Sequence, residues 1–93
     1  MWIRTQSGEI VQATAIGYSP MGPDSDRYVL DAVLGSEHSA ELASDLTREQ
    51  ADLILDWIWE AIRQGHHAYD LREAVSLARK ARPATDEETQ AHA

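Results

Sequence analysis

Hydrophobic and polar residues alternate along the first half of the chain, which is the pattern of half-buried β-strands. The alternation is clearest over residues 27–34, and a second alternating run follows at 37–43. Two earlier runs, at 2–6 and 9–18, are also rich in Ile, Val, Thr and aromatic residues. The pattern therefore predicts four strands over residues 2–6, 9–18, 27–34 and 37–43.

Turn signals separate these strands. Ser7-Gly8 and Gly35-Ser36 each suit a two-residue turn, and residues 19–26 (SPMGPDSD) are rich in Pro, Gly, Ser and Asp, as exposed loops are. Because each strand is joined to the next by a turn or a loop, we expect a four-stranded antiparallel meander with one face covered.

The pattern changes to a helical period after residue 46. Thr47 and Gln50 have the spacing of a capping box, and Gly65 is a natural stop, so a helix is predicted over 48–64. One apolar stripe runs along this helix and is predicted to cover the sheet. Its members are Ala51, Ile54, Leu55, Ile58, Ala61 and Ile62.

A second, Ala-rich helix is predicted over 71–82. Asp70 and Glu73 have the spacing of another capping box, and Pro83 ends the helix. Residues 83–93 contain no large apolar side chain, and we expect them to form a disordered acidic tail. The chain thus predicts a single α+β domain over 1–82, in which one long helix packs on the sheet.

The size and charge of the chain narrow the possible functions. Ninety-three residues form one modest core, without space for separate cofactor and substrate domains. The net charge of −8 opposes binding to nucleic acid unless the cations are gathered on one face. The basic cluster of Arg79, Lys80 and Arg82 is spread around its helix and lacks interleaved aromatic residues. A nucleic-acid partner is therefore not expected.

Several motifs of chemistry and targeting are missing from the sequence. The chain contains no cysteine, no G-x-S-x-G turn, no glycine-rich phosphate loop and no H-x-H or H-E-x-x-H spacing. His66 and His67 are expected to lie in an inter-helix linker, and His38 to be a half-buried residue at a sheet edge. We therefore expect a cytoplasmic protein without catalytic residues, metal, cofactor or membrane contact. Residues 1–6 have neither the apolar stretch nor the cleavage site of a signal peptide.

The opening Trp2-Ile3-Arg4-Thr5 with Gly8, the alternating strands and the helix that begins at 47–51 form a recognisable combination. In these features the chain resembles small uncharacterised proteins of bacterial and phage genomes. The similarity covers residues 1–64, and the second helix and the tail lie outside it. Such proteins have no established activity, so the resemblance implies a β-meander followed by an amphipathic helix and no site residues.

The first helix carries more apolar surface than a single sheet needs. Leu53 and Trp57 lie beside its core-facing arc, and Trp59 lies on the opposite flank. Exposed tryptophan on an apolar patch is typical of interaction sites. This surplus apolar surface predicts an interaction module that forms a homodimer or binds another protein. The contact residues are predicted to be Leu53, Trp57 and Leu77 of the second helix. The second helix has two possible positions, covering this patch within its own chain or reaching a neighbouring subunit.

The polar face of the first helix suggests an alternative. Glu49, Asp52, Asp56 and Glu60 follow one another at three- and four-residue spacing, which brings like charges together. This acidic face is either solvated or docks on the basic surface of a nucleic-acid-binding protein, in which case the chain is a regulator or inhibitor. Arg48 and Arg63 are spaced to neutralise Asp52 and Glu60.

Overall fold

The computed structural model describes residues 1–35 and 38–83. Six strands and two helices follow one another in this part of the chain. They are β1 (Trp2–Arg4), β2 (Ile10–Gln12), β3 (Ala15–Pro20), β4 (Tyr28–Leu34), β5 (His38–Leu46), α1 (Arg48–Arg63), β6 (Ala68–Asp70) and α2 (Leu71–Ala81). The α+β class is confirmed. Residues 84–93 of the predicted tail, and Ser36 of the predicted second turn, lie outside the described residues.

The strands form two three-stranded sheets, so the prediction of a single four-stranded meander is wrong. One sheet has the order β2-β1-β6, with β1 antiparallel to β2 and parallel to β6. The other is the antiparallel sheet β3-β4-β5.

The predicted strand over 9–18 is divided between these sheets because the chain changes its pairing partner at Ala13 and Thr14. The backbone N–H of Ala13 donates to the Met1 carbonyl at 2.9 Å, whereas that of Thr14 donates to the Val33 carbonyl at 2.9 Å. Residues before this point therefore pair with β1, and residues after it pair with β4.

The two sheets also meet where β1 ends. The Gln6 backbone N–H donates to the Leu42 carbonyl at 2.8 Å, and the Gln6 side-chain Oε1 accepts from the Ser44 N–H at 3.0 Å. Of the strand predicted over 2–6, only Trp2–Arg4 form β1, and Gln6 is instead hydrogen-bonded to β5. These bonds and the β2–β3 segment connect the sheets at two places around one core.

β5 extends to Leu46, beyond the predicted end at residue 43. Its pairing with β4 shifts register near Leu30, which is a β-bulge. Next to the bulge, Asp45 adopts φ 58°, a left-handed conformation that Asp tolerates better than most residues. At the other end of β5, His38 is exposed, so the prediction of a half-buried His38 is wrong.

The first helix begins as predicted, at a complete capping box. Thr47 Oγ1 accepts from the Gln50 backbone N–H at 3.1 Å, and Gln50 Oε1 accepts from the Thr47 N–H at 2.9 Å. The helix ends at Arg63, one residue before the predicted end, and Gly65 follows with φ 84°. The stop signal works because glycine adopts this conformation without steric strain.

The link between the helices is not only a linker, because residues 68–70 form β6 beside β1. The Trp2 N–H donates to the His67 carbonyl at 2.8 Å, which anchors the start of this strand. Asp70 then begins α2, but its Oδ1 accepts from the Arg72 N–H at 3.0 Å. This differs from the predicted capping box, in which the bond is to Glu73.

The core lies between the helices and the two sheets. Its fully buried large side chains come from every layer: Ile3, Leu30, Leu42, Leu46, Ile54 and Leu71. α2 packs on α1 of its own chain and buries Leu71, Ala74, Val75 and Ala78. No helix within the described residues is long and apolar enough to cross a lipid bilayer.

Candidate interaction surface

The predicted interaction residues Leu53 and Trp57 lie on the flank of α1 that faces α2. Gln50, Leu53 and Trp57 follow one another at i, i+3 and i+7 and so share this flank. Gln50 Nε2 donates to the Arg82 carbonyl at 2.6 Å, which brings the flank to the end of α2. Leu53 and Trp57 are both partly buried and pack against the core. Much of this surface is therefore used within the chain.

Leu77, the third predicted interaction residue, lies beside β6. It is 48% exposed and lines a shallow depression with Tyr69 and Glu73. Burial raises the pKa of Tyr69, and the nearby Glu73 carboxylate adds to this effect. At the edge of the same depression, hydrogen bonding from the Arg72 side chain lowers the pKa of Asp70.

The predicted acidic face is exposed along its whole length. Its members Glu49, Asp52, Asp56 and Glu60 are all in solvent on α1. Glu60 is partly neutralised, since it accepts from Arg63 Nη1 at 3.3 Å and from Gln64 Nε2 at 3.4 Å. The predicted Glu60–Arg63 pair is confirmed.

The basic cluster at the end of α2 interacts with backbone carbonyls. Arg79 Nη2 donates to the carbonyls of Ser44 and Asp45 at 3.3 and 3.4 Å, and Arg82 Nη1 donates to the Ala81 carbonyl at 3.0 Å. These bonds tie α2 to β5 and satisfy part of a helix C-terminus. The two arginines thus have structural partners that require no ligand.

An apolar depression lies on the other flank of α1, where the sequence did not indicate a site. This groove has a volume of about 510 Å³ and runs between the C-terminal half of α1 and the segment that joins β2 to β3. Its lining comprises Met1, Ala13, Thr14, Ala15, Ile16, Leu55, Ile58, Trp59, Ile62, His66 and His67. Trp59 is 60% exposed at its edge, and Ile62 is 45% exposed.

The groove exists because the chain passes from one sheet to the other beneath α1. Ala13 and Ala15, which flank the point of transfer, have short side chains and leave space opposite Leu55 and Ile62. The prediction that Ile62 helps to cover the sheet is therefore wrong. The i, i+4, i+7 spacing of Leu55, Trp59 and Ile62 is the sequence signal that could have revealed this second apolar flank.

Few polar groups enter the groove. The amino group of Met1 is held by the Ala13 carbonyl at 3.2 Å, and the histidines lie at the end where α1 stops. In residues 1–35 and 38–83, no three His, Asp or Glu side chains are grouped so that they could hold a metal ion. An apolar lining with few polar groups is suited to packing against another apolar surface.

Another exposed tryptophan lies on β1, in a depression separate from the groove. Trp2 of β1 is 48% exposed and shares a depression with Ile10 of β2 and Ala68 of β6. Arg4 and Asp70 also line this depression, which is smaller than the groove. Trp2 is therefore a matched reference for Trp59, since both are exposed tryptophans in different surroundings.

No protein-family model matches the chain, and neither the curated proteins nor the solved structures contain a significantly similar one.

Proposed function

We propose that this chain is a small, non-catalytic protein–protein interaction module of the cytoplasm that self-associates. The observation that carries the proposal is the open apolar groove with Trp59 at its edge. Large aromatic side chains in apolar surroundings dominate the binding energy of protein interfaces. Trp59 is 60% exposed in the monomer, so covering it by association would lower the free energy through burial of apolar surface.

The groove supports binding by packing better than it supports catalysis. Its lining is mainly aliphatic and aromatic, and its histidines lie at one end. General acid–base catalysis needs titratable groups positioned around a reacting atom. The carboxylates of α1 lie on an exposed helix face, whereas acid–base catalysis by a carboxyl pair needs the two groups to lie in different surroundings within a pocket.

The contact surface that we propose differs from the one that the sequence suggested. Leu53 and Trp57 already pack against the core beside α2, so less of their surface can be gained by association. Trp59 and Ile62 offer more uncovered apolar area. We therefore assign the contact to the groove and give Leu53 and Trp57 a role in attaching α2.

Light scattering over a concentration series tests the proposal. The wild type should change from monomer to dimer as concentration rises, and Trp59→Ser should remain monomeric at the same concentrations. Trp2→Ser is the control, since it removes an exposed tryptophan outside the groove and should dimerise like the wild type. A wild type that remains monomeric up to about millimolar concentration would contradict self-association.

The exposed acidic face supports a second candidate, a regulator that docks on a basic protein. All four carboxylate side chains are in solvent, and their charges are close together on one helix face. Binding of this kind should weaken steeply with salt, because exposed charges are screened. A dimer held by the groove should persist at high salt, whereas binding of a basic probe such as polylysine to the acidic face should be lost there. Light scattering of the chain and titration with polylysine, each at low and high salt, therefore separate the two candidates.

A further inference from the structure

A single stripe of α1 beside the groove combines charges of both signs with Trp59. Its members are Arg48, Asp52, Asp56, Trp59 and Arg63, each exposed and each three or four residues after the last. Residues at this spacing lie along one line of a helix. Two arginines and two aspartates balance there, although the whole chain carries a net charge of −8. The stripe therefore carries both signs of charge on an acidic protein, and its Arg63 also contacts Glu60 of the adjacent acidic face at 3.3 Å.

The order of charges along the stripe makes it complementary to the same stripe of a second copy that runs in the opposite direction. Asp56 precedes Trp59 and Arg63 follows it, and the midpoint between Asp56 and Arg63 falls half a residue from Trp59. With a rise of about 1.5 Å per residue, each of the two charges lies about 5 Å from that midpoint. If a second α1 runs antiparallel across it, Arg63 of each copy comes level with Asp56 of the other. Arg63 then lies between that aspartate and Glu60 of its own chain, which it already contacts at 3.3 Å.

We propose that the occupant of the groove is a second copy of this chain, bound about a two-fold axis that passes close to Trp59. This inference rests on the proposed self-association and specifies its geometry. In a symmetric contact the same patch serves both copies, so each patch must provide both a projection and a recess. Trp59 is the projection, and the space between Leu55, Ile62 and Ala15 is the recess that receives the tryptophan of the other copy.

Charge complementarity favours a second copy over a basic partner. A basic segment lying along this stripe would meet Arg48 and Arg63 as well as the aspartates. An antiparallel copy instead places opposite charges together at both ends of the contact. It also buries Trp59 of both copies. Repulsion between the remaining acidic surfaces is screened beyond about 8 Å at physiological ionic strength.

Charge reversal at the two ends of the contact tests the geometry. Asp56→Arg places like charges together in its own dimer, and Arg63→Asp does the same with the opposite sign. Each variant alone should dissociate at least about tenfold more readily than the wild type, since two exposed ion pairs become repulsive. An equimolar mixture of the two variants should form a heterodimer. In that heterodimer the introduced arginine of one variant meets the introduced aspartate of the other, and the unchanged Arg63 and Asp56 meet at the opposite end.

Glu49→Arg is the matched control. It changes the net charge as Asp56→Arg does, but Glu49 lies outside the stripe, so its dimer should persist. If the wild type dimerises and both stripe variants dimerise equally well, the antiparallel geometry is wrong while self-association stands. If the mixture forms no heterodimer although each variant alone is dissociated, the pairing of Asp56 with Arg63 is refuted. A wild type that never dimerises would refute the proposed function itself.

Discussion

The buried side chain of Gln50 joins the two helices, and its conversion to glutamate tests how much that joint contributes. Gln50 is 1% exposed, with Oε1 accepting from the Thr47 N–H at 2.9 Å and Nε2 donating to the Arg82 carbonyl at 2.6 Å. Gln50→Glu keeps the acceptor and nearly the same volume. It removes the donor and places a carboxylate against a carbonyl oxygen.

The expected loss at neutral pH is about 3 kcal/mol. A typical hydrogen bond contributes about 1 kcal/mol, and a buried polar atom without a partner costs about 1–3 kcal/mol. In the variant that atom is the carboxylate oxygen that replaces Nε2, since the side chain at position 50 is 1% exposed. Since 1 kcal/mol lowers the melting temperature of a domain this size by roughly 4–8 °C, Tm should fall by roughly 12–24 °C. The introduced carboxylate can restore the bond to Arg82 only by binding a proton. Burial and the facing carbonyl favour the protonated form, whereas the Thr47 N–H and the helix N-terminus favour the charged form, and we expect burial to prevail and the pKa to rise in the folded variant.

The sign of the pH dependence follows. A carboxyl group whose pKa is raised by folding binds a proton more tightly in the native state, so the variant loses stability as pH rises through that pKa. Below the ordinary glutamate pKa, at about pH 4 or lower, the protonated side chain again donates to Arg82 and the deficit should nearly vanish.

Urea unfolding of the wild type and the variant at both pH values measures this difference. The control is Gln12→Glu, the same substitution at an exposed position of β2, which should change the free energy of unfolding by less than about 0.5 kcal/mol at either pH. A Gln50→Glu variant as stable as the wild type at pH 7 would refute the role of the Gln50–Arg82 bond. So would a deficit that does not change with pH.

Two further predictions concern α2. Leu71→Ala should destabilise the protein by about 2–5 kcal/mol because Leu71 is fully buried. Leu77→Ala on the same helix should cost less than about 1 kcal/mol since Leu77 is half exposed. Similar urea midpoints for the two variants would contradict the packing of α2. Arg72→Ala should raise the pKa of Asp70 toward its ordinary value because it removes the side-chain donor. Because folding lowers the pKa of Asp70, this carboxylate contributes stability that is lost as pH falls from its unfolded-state pKa through its folded-state pKa. In the variant the two pKa values lie closer together, so this acid-dependent loss of stability should be smaller. Carbon NMR titration of the Asp70 carboxyl group checks the shift, and an unchanged curve would show that Arg72 does not control it.

The features that the sequence predicted correctly depend on residues close together in the chain. The capping box of α1 needs only Thr47 and Gln50, and its stop needs only Gly65. The strand over 28–34 is also marked by its own alternation. Such signals act within one turn or one strand, so they are visible without knowledge of what packs against them.

The features that the sequence missed depend on distant partners. Residues 68–70 contain no strong strand signal, and they form β6 because Trp2 and its neighbours provide a backbone ladder. The change of partner at Ala13 and Thr14 similarly depends on Met1 and Val33. Hydrogen bonds between backbones are nearly independent of side-chain identity, so the sequence gives only a weak indication of which strands pair.

The candidate site shows the same division. The sequence alone determined that α1 has an apolar arc with tryptophans on both flanks and an acidic face, since a helix of known limits fixes the direction of each residue. Only the tertiary structure decided which flank is covered. Leu53 and Trp57 are partly buried against the core on the flank from which Gln50 reaches the end of α2. On the other flank, the chain passes between the sheets and leaves a groove beside Trp59. Exposure depends on what the rest of the chain places opposite a residue, and that is decided by the packing of the whole core.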